Sequence, residues 1–198
     1  MEPLIICHRR NTIKQLVNTP TQYGVEIDVR TYNNKIILHH DPFKNGETLN
    51  YWIKKFKHKF LIINVKEEGL EKYIKKILKK NNINHFFFLD QSFPFLIKTL
   101  NLKEKRCAVR FSDYEDIKTV YNLKGKINWV WICSFSKFIL NRSISNTLKK
   151  KKIKICICSP EIVEKTSSQS IKKLKNYIKN KKIHIDAICT KKPEIWDK

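Results

Sequence analysis

Three carboxylates and two histidines lie between Gly24 and Pro42, in a stretch that reads GVEIDVRTYNNKIILHHDP. Glu26 and Asp28 are two residues apart in a run rich in β-branched residues, so both side chains leave the same face of a strand. A pair of like-charged carboxylates on one face favours a cation beside them. The pattern therefore predicts a metal-binding strand.

The second half of the stretch carries the histidines. An Asn-Asn pair at 33–34 predicts a turn, and the apolar run Lys35–Leu38 predicts a second strand that ends just before His39 and His40. Asp41 follows, either to cap the next turn or to orient His40, and His39 is expected to face away.

Other strand-like runs also end in polar residues, which are His8 and Arg9, Asn64 and Lys66, Asp90, and Arg110. Oxygen atoms are the ligands that Mg²⁺ and Ca²⁺ prefer, so we expect Glu26, Asp28 and Asn64 to bind one of these ions.

A phosphodiester would complete this chemistry. We expect His8 and His40 to lie on opposite sides of it, one as general base and the other as general acid. Arg9, Lys66 and Arg110 would neutralise the phosphate and the charge that builds in the transition state.

The elements that position these residues alternate along the chain. Eight strands separated by helices are predicted at 3–7, 24–30, 60–66 and at the runs around Phe86, Cys107, Trp129, Ile155 and Ile185. Two of the predicted helices are one over Ile13, Leu16 and Val17 that Asn11 can cap, and one over residues 113–123. This order predicts an α/β fold, a compact (β/α)8 TIM barrel that forms a single phosphodiesterase-like domain over residues 1–198. Because such barrels usually need about 250 residues, either its helices and loops are reduced or the barrel is open or incomplete.

Composition limits the partners. The chain has 41 Lys and Arg residues against 18 Asp and Glu residues, a formal net charge of +23, which favours anionic ligands or reflects a coding bias towards lysine. Its six cysteines all lie in apolar strand-like runs, which is typical of buried, reduced thiols. With no secretory leader and no membrane-spanning run, we expect a cytoplasmic protein.

The residues resemble one family. The sequence resembles the glycerophosphodiester phosphodiesterases, within the phospholipase C-like phosphodiesterase barrels. The motifs that carry this resemblance are His8-Arg9 at the end of the first strand, Glu26-x-Asp28 on the next strand, and His40-Asp41 a dozen residues later. The similarity extends to DAICTKKP near the C-terminus. It implies that His8 and His40 are the catalytic acid and base, that Glu26 and Asp28 bind the metal, and that a neighbouring hydroxyl of the substrate attacks the phosphorus. The implied partner is a small-molecule or lipid-derived phosphodiester, in lipid metabolism.

Two positions depart from the family pattern. Arg10 stands where the family usually has glycine, which narrows the phosphate pocket or adds a charge to it. Asn64 stands near the place of an acidic ligand, which predicts weaker metal binding or lost activity. Two alternatives therefore remain: a catalytically impaired barrel that binds anionic phosphate esters, and a basic nucleic-acid-binding protein. The second has only the charge in its favour, since no recognition helix or aromatic-basic interleaving is present, and no specific nucleic acid is expected.

Overall fold

The computed structural model describes residues 2–163 and 167–197. Its contacts divide the chain into two compact units, which are described separately. We call Cys7–Arg106 the N-terminal unit, and Met1–Ile6 together with Cys107–Lys198 the C-terminal unit. Whether the chain is one domain, as the sequence predicts, stays a prediction.

Strands and helices alternate along the described residues, which confirms the α/β class. The strands are β1 (Leu4–Cys7), β2 (Gly24–Tyr32), β3 (Lys35–Leu38), β4 (Glu47–Thr48), β5 (Leu61–Val65), β6 (Phe86–Leu89), β7 (Ala108–Phe111), β8 (Trp129–Ile132), β9 (Lys154–Cys158) and β10 (Ala187–Thr190). The helices are α1 (Ile13–Val17), α2 (Leu49–Trp52, continued by a 3₁₀ turn over Ile53–Lys55), α3 (Glu71–Lys80), α4 (Phe93–Asn101), α5 (Ile117–Asn122), α6 (Arg142–Lys150), α7 (Pro160–Val163), α8 (Ser168–Asn180) and α9 (Pro193–Trp196).

In the N-terminal unit, β2 has both a parallel and an antiparallel neighbour. It runs parallel to β5, which runs parallel to β6, and on its other part it forms an antiparallel hairpin with β3, which pairs with β4. The strands β5 and β6 are buried along their whole length, as continuous apolar runs in a parallel sheet should be. The β2–β3 turn has Asn33 and Asn34 in the left-handed region, with φ of 46° and 58°, which confirms the predicted Asn-Asn turn.

In the C-terminal unit, β7, β8, β9 and β10 form a parallel ladder in chain order. Trp129 and Trp131 on β8 are 6% and 4% exposed, so both belong to the core rather than to a substrate platform. The helix predicted from Asp113 begins only at Ile117, because Asp116 caps it by accepting a hydrogen bond from the Lys118 amide.

Two further sequence expectations can be compared with the structure. Thr12, not Asn11, caps α1, in a capping box with Gln15, so the prediction that Asn11 caps this helix is wrong. All six cysteines are free and buried, as predicted. Among the described residues, no helix has the length and apolar character that crossing a membrane requires.

A buried ion pair lies at the C-terminal end of the N-terminal unit. Glu104, whose side chain is 5% exposed, accepts two hydrogen bonds of 2.7 Å from the Arg106 guanidinium and lies 3.0 Å from Lys75 Nζ. Burial alone would raise the pKa of this carboxyl, but the hydrogen bonds from Arg106 and Lys75 outweigh it and lower the pKa to about 2.

We therefore expect Glu104→Gln to lower the free energy of unfolding by about 3 kcal/mol at pH 7, because the substitution leaves two cations without their carboxylate. In the wild type this stabilisation should be present above pH 4.5 and disappear as the pH falls towards 2. Urea unfolding at pH 7 and pH 3 measures both effects. The exposed Glu68→Gln is the matched control, and equal losses in the two variants would contradict the prediction.

Candidate functional site

The pairing of β2 with β5 brings the predicted metal ligands together. Asp28 and Asn64 are direct partners in the parallel register, and Glu26 lies two residues earlier on the same face of β2. Both carboxylates are 1% exposed, and Asn64 is 7% exposed. The sequence placed these three residues at strand ends, and the register makes them neighbours.

Each of these side chains has a buried oxygen that forms no hydrogen bond with the described residues. Glu26 Oε1, Asp28 Oδ1 and Asn64 Oδ1 accept no hydrogen bond from any described residue. Buried polar atoms are nearly always bonded, so unsatisfied oxygens on adjoining side chains indicate a place for a ligand. Within residues 2–163 and 167–197, no three His, Cys, Asp or Glu side chains are grouped as a metal cluster, because the third oxygen here belongs to an amide. The donor set nevertheless suits a hard cation.

Asp28 also has cationic neighbours from the chain itself. Its Oδ2 lies 3.4 Å from Arg9 Nε, and its Oδ1 lies 3.5 Å from Lys66 Nζ. Lys66 Nζ is in turn 4.0 Å from Asp90 Oδ2. Two of the three predicted phosphate-binding residues are therefore at the carboxylate pair, one on each side of Asp28.

Glu26 is held by the segment that follows β1. The Arg9 amide donates a 2.7 Å hydrogen bond to Glu26 Oε2, and His8 Nε2 lies 3.7 Å from the same oxygen. Arg9 has a φ of 54°, a left-handed conformation that non-glycine residues rarely adopt. Backbone strain of this kind is typical of functional sites, and here it accompanies an amide that donates to the carboxylate.

Burial and the neighbouring charge of Asp28 together raise the pKa of Glu26 to about 8. Both effects favour the protonated form of Glu26 when no cation is bound.

His40 is positioned by its neighbour. Its Nδ1 lies 2.8 Å from Asp41 Oδ1, and the same contact lowers the pKa of Asp41. Of the two roles open to Asp41, orienting His40 is thus the one that the structure shows. The His40 side chain is 42% exposed, and its Nε2 is the nitrogen left for proton transfer.

A cavity of about 530 Å³ lies beside this loop. It is lined by Arg9, His39 and His40, among others, so Arg9 contacts both this cavity and the carboxylate pair. Gly46 is also part of the lining, where an added Cβ would clash with the Leu38 carbonyl oxygen. His39, which was expected to face away, lines the cavity together with His40.

Two residues that support the site were missed by sequence reasoning. Asn11 Nδ2 donates to Asp28 Oδ2 and Asn11 Oδ1 accepts from the Asp28 amide, both at 2.9 Å. Arg30 donates to the carbonyl oxygens of His40, at 3.0 Å, and Lys66, at 3.3 Å, and so ties together the two loops that carry them. The period-two spacing of Glu26, Asp28 and Arg30 was a signal that could have identified Arg30.

Arg10 and Arg110, the other two arginines considered in the sequence analysis, contact residues outside the carboxylate pair. Arg10 donates to the His8 carbonyl oxygen, at 2.8 Å, and to Thr19 Oγ1, at 2.9 Å, so its guanidinium braces the loop after β1. Arg110 lies on β7 of the C-terminal unit, where its guanidinium contacts Cys133 Sγ at 3.2 Å and Glu115 Oε1 at 3.7 Å. Its role at a phosphate stays a prediction.

The fold is similar to that of several solved structures. A proposed glycerophosphoryl diester phosphodiesterase from Agrobacterium tumefaciens is 10% identical, with a TM-score of 0.70 over 100% of this chain and 96% of that one. A glycerophosphoryl diester phosphodiesterase from Parabacteroides distasonis is 14% identical, with a TM-score of 0.63 over 98% of this chain and 85% of that one. A glycerol uptake operon antiterminator-related protein from Thermotoga maritima is 12% identical, with a TM-score of 0.54 and full coverage of both chains.

These similarities confirm the predicted α/β barrel fold. They agree with the resemblance that the sequence motifs suggested, but at 10–14% identity they establish the fold alone. The Thermotoga protein has a similar fold but is described as an antiterminator-related protein, so the fold alone does not identify a function. No protein-family model and no curated protein matches the sequence. Function must therefore be argued from the side chains of the site.

The raised pKa of Glu26 makes a prediction for the cation-free protein. In the presence of chelator, the free energy of unfolding should fall as the pH rises from 4.5 to about 8, because the folded chain holds a proton that the unfolded chain has released. Glu26→Gln should remove this slope, and added Mg²⁺ should reduce it in the wild type. Urea unfolding at several pH values provides the measurement.

The control is again Glu68→Gln, which should keep the wild-type slope. A wild-type curve that is flat over this range, or one that Glu26→Gln leaves unchanged, would show that Glu26 does not carry the proton.

Proposed function

We propose that this protein hydrolyses a phosphodiester, with a glycerophosphodiester or a related compound as substrate. The observation that carries the proposal is the buried Glu26–Asp28 pair, whose unsatisfied oxygens lie beside Asn64 and two cationic side chains. This arrangement suits a cation and a phosphate together, since each would neutralise charge that the other brings. The fold similarity to phosphodiesterases supports it.

The three residues that would hold a divalent cation, Mg²⁺ or Ca²⁺, are Glu26, Asp28 and Asn64. When bound, such an ion supplies a Lewis acid for a phosphoryl oxygen. Arg9 and Lys66 bind the phosphate in this proposal, and both are already held at the carboxylate pair through Asp28. Glu26 gives up its proton when the cation binds.

The two histidines move the protons. One takes the proton of the attacking hydroxyl and the other donates a proton to the leaving alcohol, as cleavage of a phosphodiester requires. His8 lies at the buried side of the site, against Glu26, whereas His40 lies at the cavity and is oriented by Asp41.

The size of the cavity favours a small-molecule or lipid-derived substrate. Its volume of about 530 Å³ is in the usual range of small-molecule pockets. The six buried, free thiols fit the reducing cytoplasm that the sequence predicts as the location.

Loss of either histidine should abolish most of the activity. We expect His8→Ala and His40→Ala each to lower kcat by about 10²- to 10⁴-fold, the usual contribution of a general acid or base. The assay measures alcohol release from a panel of glycerophosphodiesters with Mg²⁺, Ca²⁺ or Mn²⁺. His85→Ala, at an exposed histidine before β6, is the control and should keep wild-type kcat. Activity that survives His8→Ala would overturn the mechanism.

A second candidate function is a binding protein for anionic phosphate esters that has lost turnover. It is favoured by one specific observation: Arg9 and Lys66 already neutralise Asp28, and the third ligand position has an uncharged amide. Such a protein would bind a phosphate ester tightly in the presence of chelator and would release no alcohol. Hydrolysis that chelator abolishes would instead support the enzyme.

Asn64→Asp separates the two candidates further. A third carboxylate should tighten Mg²⁺ binding, measured by calorimetry, and should lower the stability of the cation-free protein by on the order of 2 kcal/mol through repulsion from the two buried carboxylates. Asn50→Asp, at an exposed position of α2, is the matched control and should change neither quantity. Unchanged Mg²⁺ affinity in Asn64→Asp would place the cation elsewhere.

A further inference from the structure

A second cavity lies in the N-terminal unit beside α3 and α4, outside the candidate site. Its volume is about 430 Å³, within the range of small-molecule pockets. Four apolar side chains form part of its wall: Leu78, Ile83, Phe86 and Leu102. Leu102 is 71% exposed, so apolar surface continues from the buried wall to solvent. A concave apolar surface that reaches solvent is typical of a ligand site.

The rest of the wall is strongly cationic. Among the described residues that line the cavity, five are Lys or Arg and one, Glu71, is acidic. Four of the lysines, at 72, 75, 76 and 79, lie on α3 at spacings of three and four residues, so they share one side of the helix. Cations held next to an apolar wall give the cavity a polar and an apolar part.

Some of this charge is already neutralised and some is not. Glu104 pairs with Lys75 and Arg106, and Glu71 accepts a hydrogen bond from Gln91 Nε2. In the part of the chain that the structure describes, no carboxylate lies within ion-pair distance of the three remaining lysines, which are Lys72, Lys76 and Lys79. Three exposed cations thus remain for an anionic group from outside.

We propose that this cavity binds an anionic amphiphile, a single acyl or alkyl chain with a carboxylate or phosphate head group. The chain contacts Leu78, Phe86 and Leu102, and the head group lies among Lys72, Lys76 and Lys79. The positive charge of the lysines favours an anionic head group, and the apolar wall favours a hydrocarbon tail. A free phosphate would leave the apolar wall in water, and a single-stranded nucleic acid would need stacking aromatic side chains along an extended groove. The proposal is independent of the phosphodiesterase reaction.

The experiment titrates dodecanoate and dodecyl phosphate, below the concentrations at which they form micelles, into the full-length protein by calorimetry. Saturable binding of about one molecule per chain is expected for both. Inorganic phosphate and the uncharged glycerol monododecanoate should bind at least about tenfold more weakly, because each lacks one half of the complementarity. Equal affinity for inorganic phosphate would reduce the cavity to a simple anion site and overturn the proposal.

Two variants locate the binding. Lys72→Glu combined with Lys79→Glu should weaken dodecanoate by about tenfold, since two exposed charges are reversed. Lys172→Glu combined with Lys179→Glu is the matched control, because it makes the same change at the same spacing on α8, at exposed lysines, and it should leave the affinity unchanged. Equal weakening in both double variants would show that only the net charge matters.

Leu102→Asn tests the apolar wall at an exposed position where folding is not at risk. It should weaken dodecanoate several-fold, and an unchanged affinity would contradict a chain in this cavity. Vesicles with anionic lipids form the last arm: binding to vesicles without binding to the monomeric amphiphiles would assign the lysines to a membrane surface and overturn the proposal.

Discussion

The burial of two carboxylates on one face of β2 is the constraint on which the N-terminal unit depends. Glu26 and Asp28 are each 1% exposed, and two like charges removed from water at this separation cannot both ionise without compensation. A protein that needed only a stable strand would place apolar residues there, as it does at Val25 and Ile27. The carboxylates therefore require neighbours that stabilise negative charge, and those neighbours come from the segments that carry Arg9 and Lys66.

The two carboxylates are compensated differently. Asp28 Oδ2 accepts a hydrogen bond from Asn11 Nδ2, and Arg9 and Lys66 lie at opposite oxygens of the Asp28 carboxylate, so the chain itself stabilises negative charge there. Glu26 accepts a hydrogen bond from the Arg9 amide, but burial and the neighbouring Asp28 raise its pKa, so it keeps a proton to higher pH. Asp28 thus organises the cationic side chains, whereas the charge of Glu26 depends on what binds. This division follows from the distances, because both residues are equally buried.

The sequence predicted the α/β fold class and most residues of the candidate site, because both predictions rest on hydrophobic period and on position at strand ends. Glu26, Asp28 and Asn64 were predicted as site residues because they interrupt apolar strands. In a strand that is buried on both faces, a polar residue is unusual and usually has a specific role. The sequence does not show which residues pair across the sheet, because the register that places Asp28 beside Asn64 depends on packing between distant segments. Asn11 was misassigned for a related reason: a local cap and a long-range clamp to Asp28 use the same side-chain atoms.

Asn64 is best understood from the same constraint. A third carboxylate beside Glu26 and Asp28 would bind a divalent cation more strongly, but the cation-free chain would then have to bury three like charges. The amide keeps an oxygen, Asn64 Oδ1, at the proposed ligand position and adds no charge. Lys66, two residues later, compensates Asp28 from the same strand end. The pair Asn64–Lys66 therefore lets the strand fold without a cation and still offers an oxygen ligand, at the expense of cation affinity.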